Sequence, residues 1–535
     1  MRVRSCRATG SLWALCAFAL PAVAGTAGAQ EMPTLPQAAP PVPPRGSSTR
    51  PAPMHPDRAP ALPGEFAPPS TALPGSNPLT GGPPRPYNFD FQAGTRLTYT
   101  DNVDLAARGL EESALVWTNF VSMQAIAQGA RVKGALDYTL AADLASAGRA
   151  RRFLLRHDLR ALADYAVVPN LAFIEGEASV ARLPLATGAP VSLDPVAGRN
   201  DQAHLVTIGI SPYLTPRFGD WGSGELRYQY RRALTGAPGT QEPTSHLARA
   251  LLQAGERSAP ARFSLLGEAE RVFASGNASL QRDTTEGRAE YRALTDLSLL
   301  GMAGYEKLRA GSLTERFDGP IGSVGAKWQP SIRTSLEGSY GRRYGGDVLD
   351  VTASYRPTLR TVFSASYVQR LYAGFEALAG DALSLDPLTG GFLARSLQQR
   401  NPSLGFGLQD LAYHAKRANL SVAHQFERNF LELGASYEIR SYERQPNQKL
   451  TTFTADFTRQ LSRRTEAILR AIYRHGHESG ASATRDTVGG RAELKYRLTT
   501  DLDAGLGYSH THRFADVRQD RYRENAVFVE LTYRF

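Results

Sequence analysis

The last ten residues of the chain, "AVFVELTYRF" at 526–535, decide the fold. Successive side chains of a strand point to opposite faces, and one face of this stretch is apolar to its end. That face consists of Val527, Val529, Leu531, Tyr533 and Phe535. A chain end is usually polar and frayed, and an exposed apolar edge strand promotes aggregation. The stretch therefore predicts a strand that is paired along both of its edges.

The same alternation recurs from Tyr87 onward. Three examples are "FDFQAGTRLTYT" at 89–100, "GELRYQYRRAL" at 224–234 and "GGRAELKYRL" at 489–498. Period two over such lengths is typical of half-buried strands. One face is rich in Ala, Gly, Tyr and Leu, while the other carries Arg and Glu. Because a polar face suits a water-filled lumen and an apolar face suits lipid, the pattern favours a membrane barrel over a soluble sandwich.

The connections between the predicted strands alternate in length. Short ones lie near residues 167, 329, 356, 427, 461 and 498, and long ones lie at 101–113, 184–202, 234–244, 274–280, 373–411, 475–486 and 512–523. Outer-membrane barrels alternate short periplasmic turns with long extracellular loops in this way. We therefore predict an all-β fold over residues 87–535, a transmembrane antiparallel up-and-down β-barrel of about 22 strands, within a range of about 16–22.

The residues before the barrel have a different composition. Residues 1–29 combine three arginines with a short apolar core and a small-residue site, which predicts a secretory signal peptide cleaved after Ala29. Both cysteines, Cys6 and Cys16, lie in this segment, so we expect no disulfide and no thiolate metal site in the mature chain. Residues 30–86 are rich in proline and predict a disordered arm, which is either a passive spacer or a segment that seeks peptidoglycan or a partner.

The charge and the chain end indicate the partners. The net charge of +10 becomes 10 − 3 = +7 without the signal peptide, and its interleaved signs argue against nucleic-acid binding. We expect a Gram-negative outer-membrane protein in contact with lipid and lipopolysaccharide. Its terminal aromatics Tyr533 and Phe535 are typical of the signal that the barrel-assembly machinery recognises. The sequence predicts no enzyme activity, no catalytic residue and no cofactor.

The first predicted strand ends in a Thr-Asp-Asn turn within "LTYTDNVDLA" at 97–106. This resembles the start of a family of outer-membrane barrel porins encoded with exopolysaccharide and protein-sorting (PEP-CTERM) gene clusters. The resemblance covers residues 87–535, and the proline-rich arm is not typical of the family. It implies an envelope role in exopolysaccharide export, with exopolysaccharide or its export machinery as partner, and no catalytic residues.

Two other functions stay open. One is an outer-membrane enzyme, such as a lipase, a protease or a polysaccharide-modifying barrel, although no nucleophile motif accompanies the histidines. The other is a structural or adhesive barrel with a blocked lumen. A TonB-type transporter is not expected, because residues 30–86 are too rich in proline to fold as a plug.

The polar face of the predicted strands carries a set of arginines. Those expected to line the lumen are Arg96, Arg156, Arg160, Arg227, Arg231, Arg288, Arg292, Arg470, Arg474, Arg491 and Arg497. They either form a salt-bridged wall with the glutamates Glu225, Glu286, Glu290, Glu466 and Glu493, or guide a sugar or a polyanion along the pore. The two roles are compatible.

Other polar and aromatic residues have structural and functional interpretations side by side. We expect an outward interfacial girdle of Tyr99, Tyr165, Tyr228, Tyr355, Tyr367, Tyr473, Tyr496, Tyr508 and Tyr533. Two His-x-His pairs, His475 with His477 and His510 with His512, are weak candidates for a metal site and fit a polar rim better. The residues Asp101, Asn102 and Asp104 either bind a cation or cap a turn.

The longest connection, residues 373–411, is unusually apolar for a surface loop. Its leucines would be costly to expose to water, so it either folds into the lumen as a constriction or packs over the mouth as a cap.

A barrel of about 22 strands has a lumen wide enough to leak unless something restricts it. We therefore expect deletion of residues 376–405 to raise single-channel conductance and to sensitise cells to large antibiotics. An unchanged conductance would mean that this loop does not restrict the pore.

Overall fold

The computed structural model describes residues 87–147, 153–184, 192–194, 196–197, 202–235, 242–254, 260–273, 279–311, 317–372, 412–443, 446–478 and 484–535. Within them lie 22 strands. These are β1 (Tyr87–Thr100), β2 (Ala114–Gln128), β3 (Val132–Ala145), β4 (Phe153–Val168), β5 (Ala172–Pro184), β6 (Gln202–Leu214), β7 (Gly222–Thr235), β8 (Thr244–Ala254), β9 (Ala261–Phe273), β10 (Leu280–Arg292), β11 (Leu297–Ala310), β12 (Phe317–Ser331), β13 (Thr334–Arg343), β14 (Gly346–Thr358), β15 (Thr361–Tyr372), β16 (Tyr413–Gln425), β17 (Asn429–Ser441), β18 (Gln448–Gln460), β19 (Thr465–Glu478), β20 (Thr484–Arg497), β21 (Leu502–Ala515) and β22 (Tyr522–Arg534).

Each strand pairs antiparallel with the next one along the chain, and β22 pairs with β1. The predicted fold class is thus confirmed as a closed, antiparallel, up-and-down barrel of 22 strands. No helix in the described ranges is long and apolar enough to cross a membrane. The predicted signal peptide, the proline-rich arm and the loop 373–411 all lie outside the described residues.

Alternation along each strand produces two unlike faces. In β1, Arg96, Thr98 and Thr100 are buried, whereas Leu97 and Tyr99 are 46% and 52% exposed. This is the reverse of a soluble protein, where apolar side chains are buried and charged ones are exposed. The inner wall of the barrel is therefore polar and the outer wall apolar.

The expected tyrosines lie on the outer wall. Exposed side chains are those of Tyr99, Tyr165, Tyr228, Tyr355, Tyr473, Tyr496, Tyr508 and Tyr533. Tyr367 shares the outward phase of β15 but is half-buried, and its hydroxyl accepts a hydrogen bond from Gln369.

The two ends of the barrel differ in their connections, as the sequence predicts. β1 begins and β22 ends at the short-turn end. At this end each even-numbered strand is joined to the next odd-numbered strand, as in β2–β3 and β4–β5. At the opposite, long-loop end, two connections are shorter than predicted, because strand pairing continues through the histidine pairs. β19 runs to Glu478 and β21 to Ala515.

One connection at the long-loop end is a two-residue turn that the sequence analysis missed. Tyr344 and Gly345 join β13 to β14 with φ of 55° and 75°. Two successive positive φ angles are typical of the type I′ hairpin turn, whose twist matches that of the flanking strands. The barrel wall is therefore low at this point of its rim.

The seam between the last and first strands closes the barrel. Nine residue pairs join them, from Gln92 opposite Arg534 to Thr100 opposite Ala526. At the long-loop end, the Asp101 carboxylate accepts hydrogen bonds from the backbone and side chain of Asn525, at 2.7 and 2.5 Å.

At the short-turn end of the seam, the terminal residue itself is bonded. The Phe535 backbone N–H donates to the Phe91 carbonyl at 3.0 Å, and the two rings lie 5.1 Å apart. The last residue therefore extends the seam by one hydrogen bond and one aromatic contact.

We expect the substitution Phe535→Glu to impair insertion of the barrel into the outer membrane, because it removes both the seam contact and the terminal aromatic. Insertion is measured as the heat-modifiable fraction in outer-membrane preparations. The matched control is Phe426→Glu, at another exposed aromatic of the short-turn end. Equal yields for the two variants would contradict a special role of Phe535.

Candidate functional site: the barrel lumen

All eleven predicted lumen arginines lie on the inward phase of their strands, and nine of the ion pairs that they form show how the wall is built. The pairs are Arg96–Asp194, Arg156–Asp143, Arg160–Asp137, Arg227–Glu225, Arg231–Glu177, Arg288–Glu286, Arg470–Asp456, Arg491–Glu493 and Arg497–Asp503. The wall is salt-bridged, but of the predicted glutamates only Glu225, Glu286 and Glu493 belong to these pairs. Glu290 pairs with Arg262 instead, and aspartates supply most of the other partners. Guidance of a sugar or polyanion by the same arginines stays a prediction.

Many of these pairs bridge neighbouring strands. Arg156 on β4 donates two hydrogen bonds to Asp143 on β3, at 2.6 and 2.9 Å, and Thr118 on β2 donates to the same carboxylate at 2.7 Å. Arg160 pairs with Asp137 nearer the other end of the same two strands. Such cross-strand pairs fix the inner side chains in place and neutralise the wall locally.

A second group of inner residues, on β16 and β17, was not predicted from the sequence. The Glu438 carboxylate accepts from Arg440 at 2.7 Å and from Arg417 at 3.0 Å, and all three are buried. The Arg440 guanidinium lies 4.4 Å from the centre of the Tyr413 ring, which contacts Tyr442. Two features of the sequence could have predicted this group. Arg417 lies between Lys416 and Ala418 on β16, and Glu438 and Arg440 occupy alternate positions of the next strand.

The cluster includes the residues that flank the longest connection. Tyr372 ends β15 and pairs with Tyr413, the first residue of β16. Burial raises the pKa of the Tyr442 phenol, which lies just beyond β17, to about 12. The Tyr442 phenol therefore stays a neutral hydrogen-bonding group at physiological pH.

The end of β15 bends over the mouth of the barrel while it stays paired with β16. Arg282 on β10 donates to the Leu371 carbonyl at 3.3 Å, although β10 and β15 are five strands apart. Along the wall that separation is about 24 Å at ~4.8 Å per strand. Leu371 packs in one apolar cluster with Leu280 and Leu308, and Tyr344 of the short turn packs against the same cluster. The bend thus crosses the low point of the rim.

A second element also folds inward. Residues 192–194 and 196–197, here called the inner segment, belong to the β5–β6 connection but lie against β1 and β20–β22. Asp194 contacts Arg96 at 2.6 Å, and Ser192 donates to Glu524 on β22. Asp194 and Val196 are 1% exposed. The inner segment is therefore packed tightly against the lumen wall.

An inward phenylalanine organises the wall behind the inner segment. The guanidinium carbons of Arg96 and Arg491 lie 3.7 and 4.4 Å from the centre of the Phe528 ring. Phe528 is opposite Gly507 on β21, and a Cβ atom at Gly507 would lie 2.2 Å from the ring. Only glycine there lets the ring lie against the wall, where it supports both arginines.

The four candidate metal-binding histidines lie on the outward phase near the long-loop end, in two separate places. His475 lies 2.7 Å from Asp486, and His510 lies 2.9 Å from Asn525. His475 is opposite Asp486 on β20, and Asp486 is opposite Phe514 on β21. His475 is therefore level with Phe514 and not with His510 or His512. Among the described residues, no group of three or more His, Cys, Asp or Glu is arranged to hold a metal ion.

The Asp-Asn turn after β1 acts as a cap in the structure. The buried Asn102 side chain donates to the carbonyls of Ala106 and Arg523 at 2.9 and 3.0 Å, and accepts from the Ala106 N–H at 2.8 Å. Asp101 is used by Asn525 at the seam. These contacts bind the first long loop to β22.

Comparisons with known proteins concern the fold. No protein-family model matches the chain, and no curated protein matches it. Among solved structures, the siderophore receptor PirA from Acinetobacter baumannii is 8% identical with a TM-score of 0.47, covering 84% of this chain and 80% of its own. The FrpB iron transporter from Neisseria meningitidis is 9% identical with a TM-score of 0.47, covering 83% and 82%. At these identities the likeness carries no information on substrate.

We expect Gly507→Ala to destabilise the folded barrel by about 1–3 kcal/mol, because the new methyl group overlaps the Phe528 ring. The measurement is the temperature at which the folded, fast-migrating form is lost on gels. The matched control is Gly490→Ala on the next strand, where a Cβ meets open space. A control that is destabilised equally would show that any strand alanine has this effect.

Proposed function

We propose that the chain is a pore of the Gram-negative outer membrane and that it serves the export of exopolysaccharide or a related envelope transport process. The carrying observation is the inverted burial of a closed 22-strand barrel, with charged residues inside and large apolar residues outside. An apolar outer wall is stable in lipid, and closure leaves no unpaired backbone in the bilayer.

The inner wall supports passage of a polar solute. Arginines and acids alternate around it in close pairs, so the wall offers hydrogen bonds without a large net field. A neutral or weakly charged sugar polymer needs such a surface, since it exchanges hydrogen bonds with water as it moves. The choice of exopolysaccharide rests on the resemblance at residues 97–106.

A second candidate is a structural barrel with a blocked lumen. The observation that favours it is that two described elements, the end of β15 and the inner segment, fold into the long-loop half of the barrel. The two candidates differ in whether the purified protein conducts ions.

The location is tested first. We expect the protein in the outer-membrane fraction, with heat-modifiable mobility on gels. Recovery of folded protein from the periplasm without detergent would overturn the membrane assignment.

The transport role is tested by conductance and by polymer release. We expect the purified protein to form discrete channels in planar bilayers, and loss of its gene to lower extracellular polysaccharide while polymer accumulates inside the envelope. The control is complementation with the wild-type gene. A folded barrel that never conducts would favour the structural role.

A further inference from the structure

The inner segment covers an arginine that is incompletely used. Arg96 is 7% exposed, and its Nη2 group donates to one oxygen of Asp194, Oδ2, at 2.6 Å. Its Nε–H has no hydrogen-bond partner. A guanidinium is a planar fork that binds two oxygens of one carboxylate or phosphate at once. Asp194 therefore satisfies only part of this fork.

Asp194 cannot easily supply the second oxygen. Its Oδ1 accepts the backbone N–H of Val196 at 3.1 Å, and its own N–H donates to the Ser192 hydroxyl at 2.9 Å. These local bonds hold the carboxylate within the turn of the inner segment. A free oxyanion with two unoccupied oxygens would satisfy the Arg96 fork better than Asp194 does.

Asp194 is the carboxylate that the inner segment brings to Arg96. Arg96 also lies 4.0 Å from Glu530, Arg491 pairs with Glu493, and Glu524 accepts from Ser192 of the inner segment. Phe528 lies against both guanidinium groups, so Asp194 is not the only group that holds them in place.

We propose that Arg96 and Arg491, held on Phe528, form an oxyanion-binding site in the lumen wall, and that Asp194 is an internal carboxylate that occupies it when the inner segment is folded inward. The ligand class is a carboxylate or phosphate group, alone or carried on a polymer. Its binding displaces Asp194 and loosens the inner segment, which the apolar contacts of Val196 and Ala197 also hold to the wall. The proposal deepens the proposed pore function. The oxyanion site itself does not depend on that function, and only the effect of the displacement on transport rests on it.

The position of the inner segment is tested without conductance. A Cβ atom at Gly489 would lie 3.2 Å from Leu193 Cγ, so the cysteine pair Leu193→Cys and Gly489→Cys is within disulfide reach. Since both natural cysteines lie in the predicted signal peptide, the mature variant carries only this pair. We expect ready cross-linking in the otherwise unchanged barrel. No cross-link would overturn the inward position.

The role of Asp194 is tested in the same background. Adding Asp194→Asn or Arg96→Gln should reduce cross-linking strongly, because each removes the ion pair. Inorganic phosphate and acetate, each compared with chloride at equal ionic strength, should also slow cross-linking, and the stronger of the two identifies the preferred oxyanion. Unchanged cross-linking in Asp194→Asn, or no difference between chloride and either oxyanion, would overturn the proposal. Heat-modifiable mobility confirms that each variant is folded.

Ion selectivity distinguishes this site from the pore function. Both single variants remove the same ion pair, but Asp194→Asn leaves an extra positive charge and Arg96→Gln an extra negative one. We expect reversal potentials in a KCl gradient to shift toward anions in the first and toward cations in the second. Shifts of the same sign would overturn the site. If no variant conducts while cross-linking responds as expected, the pore function fails and the oxyanion site stands.

Discussion

The pairing of β22 with β1 is the constraint on which the rest of the structure depends. An open sheet of 22 strands would leave two unpaired edges, and in lipid each unsatisfied backbone group is costly. Closure removes both edges and creates an inside. Side-chain bonds reinforce it at the long-loop end, where Asp101 and Asn102 bind β22, and Phe535 extends it at the other.

The features that the sequence could predict are those that each stretch of chain encodes locally. Strand number, face alternation and the inward phase of residues such as Arg96 follow from local period two, which every stretch carries by itself. The turn at Tyr344 and Gly345 was missed because these residues are not the Asn-Gly or Asp-Gly pair that marks a type I′ turn in a sequence. Extended pairing through His475 was missed because polar residues near a loop resemble the loop itself.

The lumen contacts were beyond sequence reasoning for a different reason. Asp194 meets Arg96 across 98 positions of the chain, and Leu371 meets Arg282 across 89. No periodicity links such residues, since their contact depends on the curvature of the wall and on its low rim at the short β13–β14 turn. The acidic partners on neighbouring strands, such as Asp143 for Arg156, required only the register, which alternation leaves open until the strands are aligned.

The inner wall combines two demands that oppose each other. Charged side chains keep it compatible with water, yet Glu438 and Arg440 are almost fully buried. A buried charge is stable only when it is paired and hydrogen-bonded, so each inward-folded element must bring or meet a counter-charge. Asp194 does this for Arg96, and Ser192 donates to Glu524. Water or a solute oxyanion can provide the bonds that Asp194 makes, but apolar contacts also hold the inner segment, where Val196 packs with Val103 and Val116 and Ala197 packs with Leu105 and Tyr522. The end of β15 likewise combines a polar bond from Arg282 with the apolar contacts of Leu371. A solute that replaces Asp194 at Arg96 thus leaves the apolar contacts of the inner segment in place.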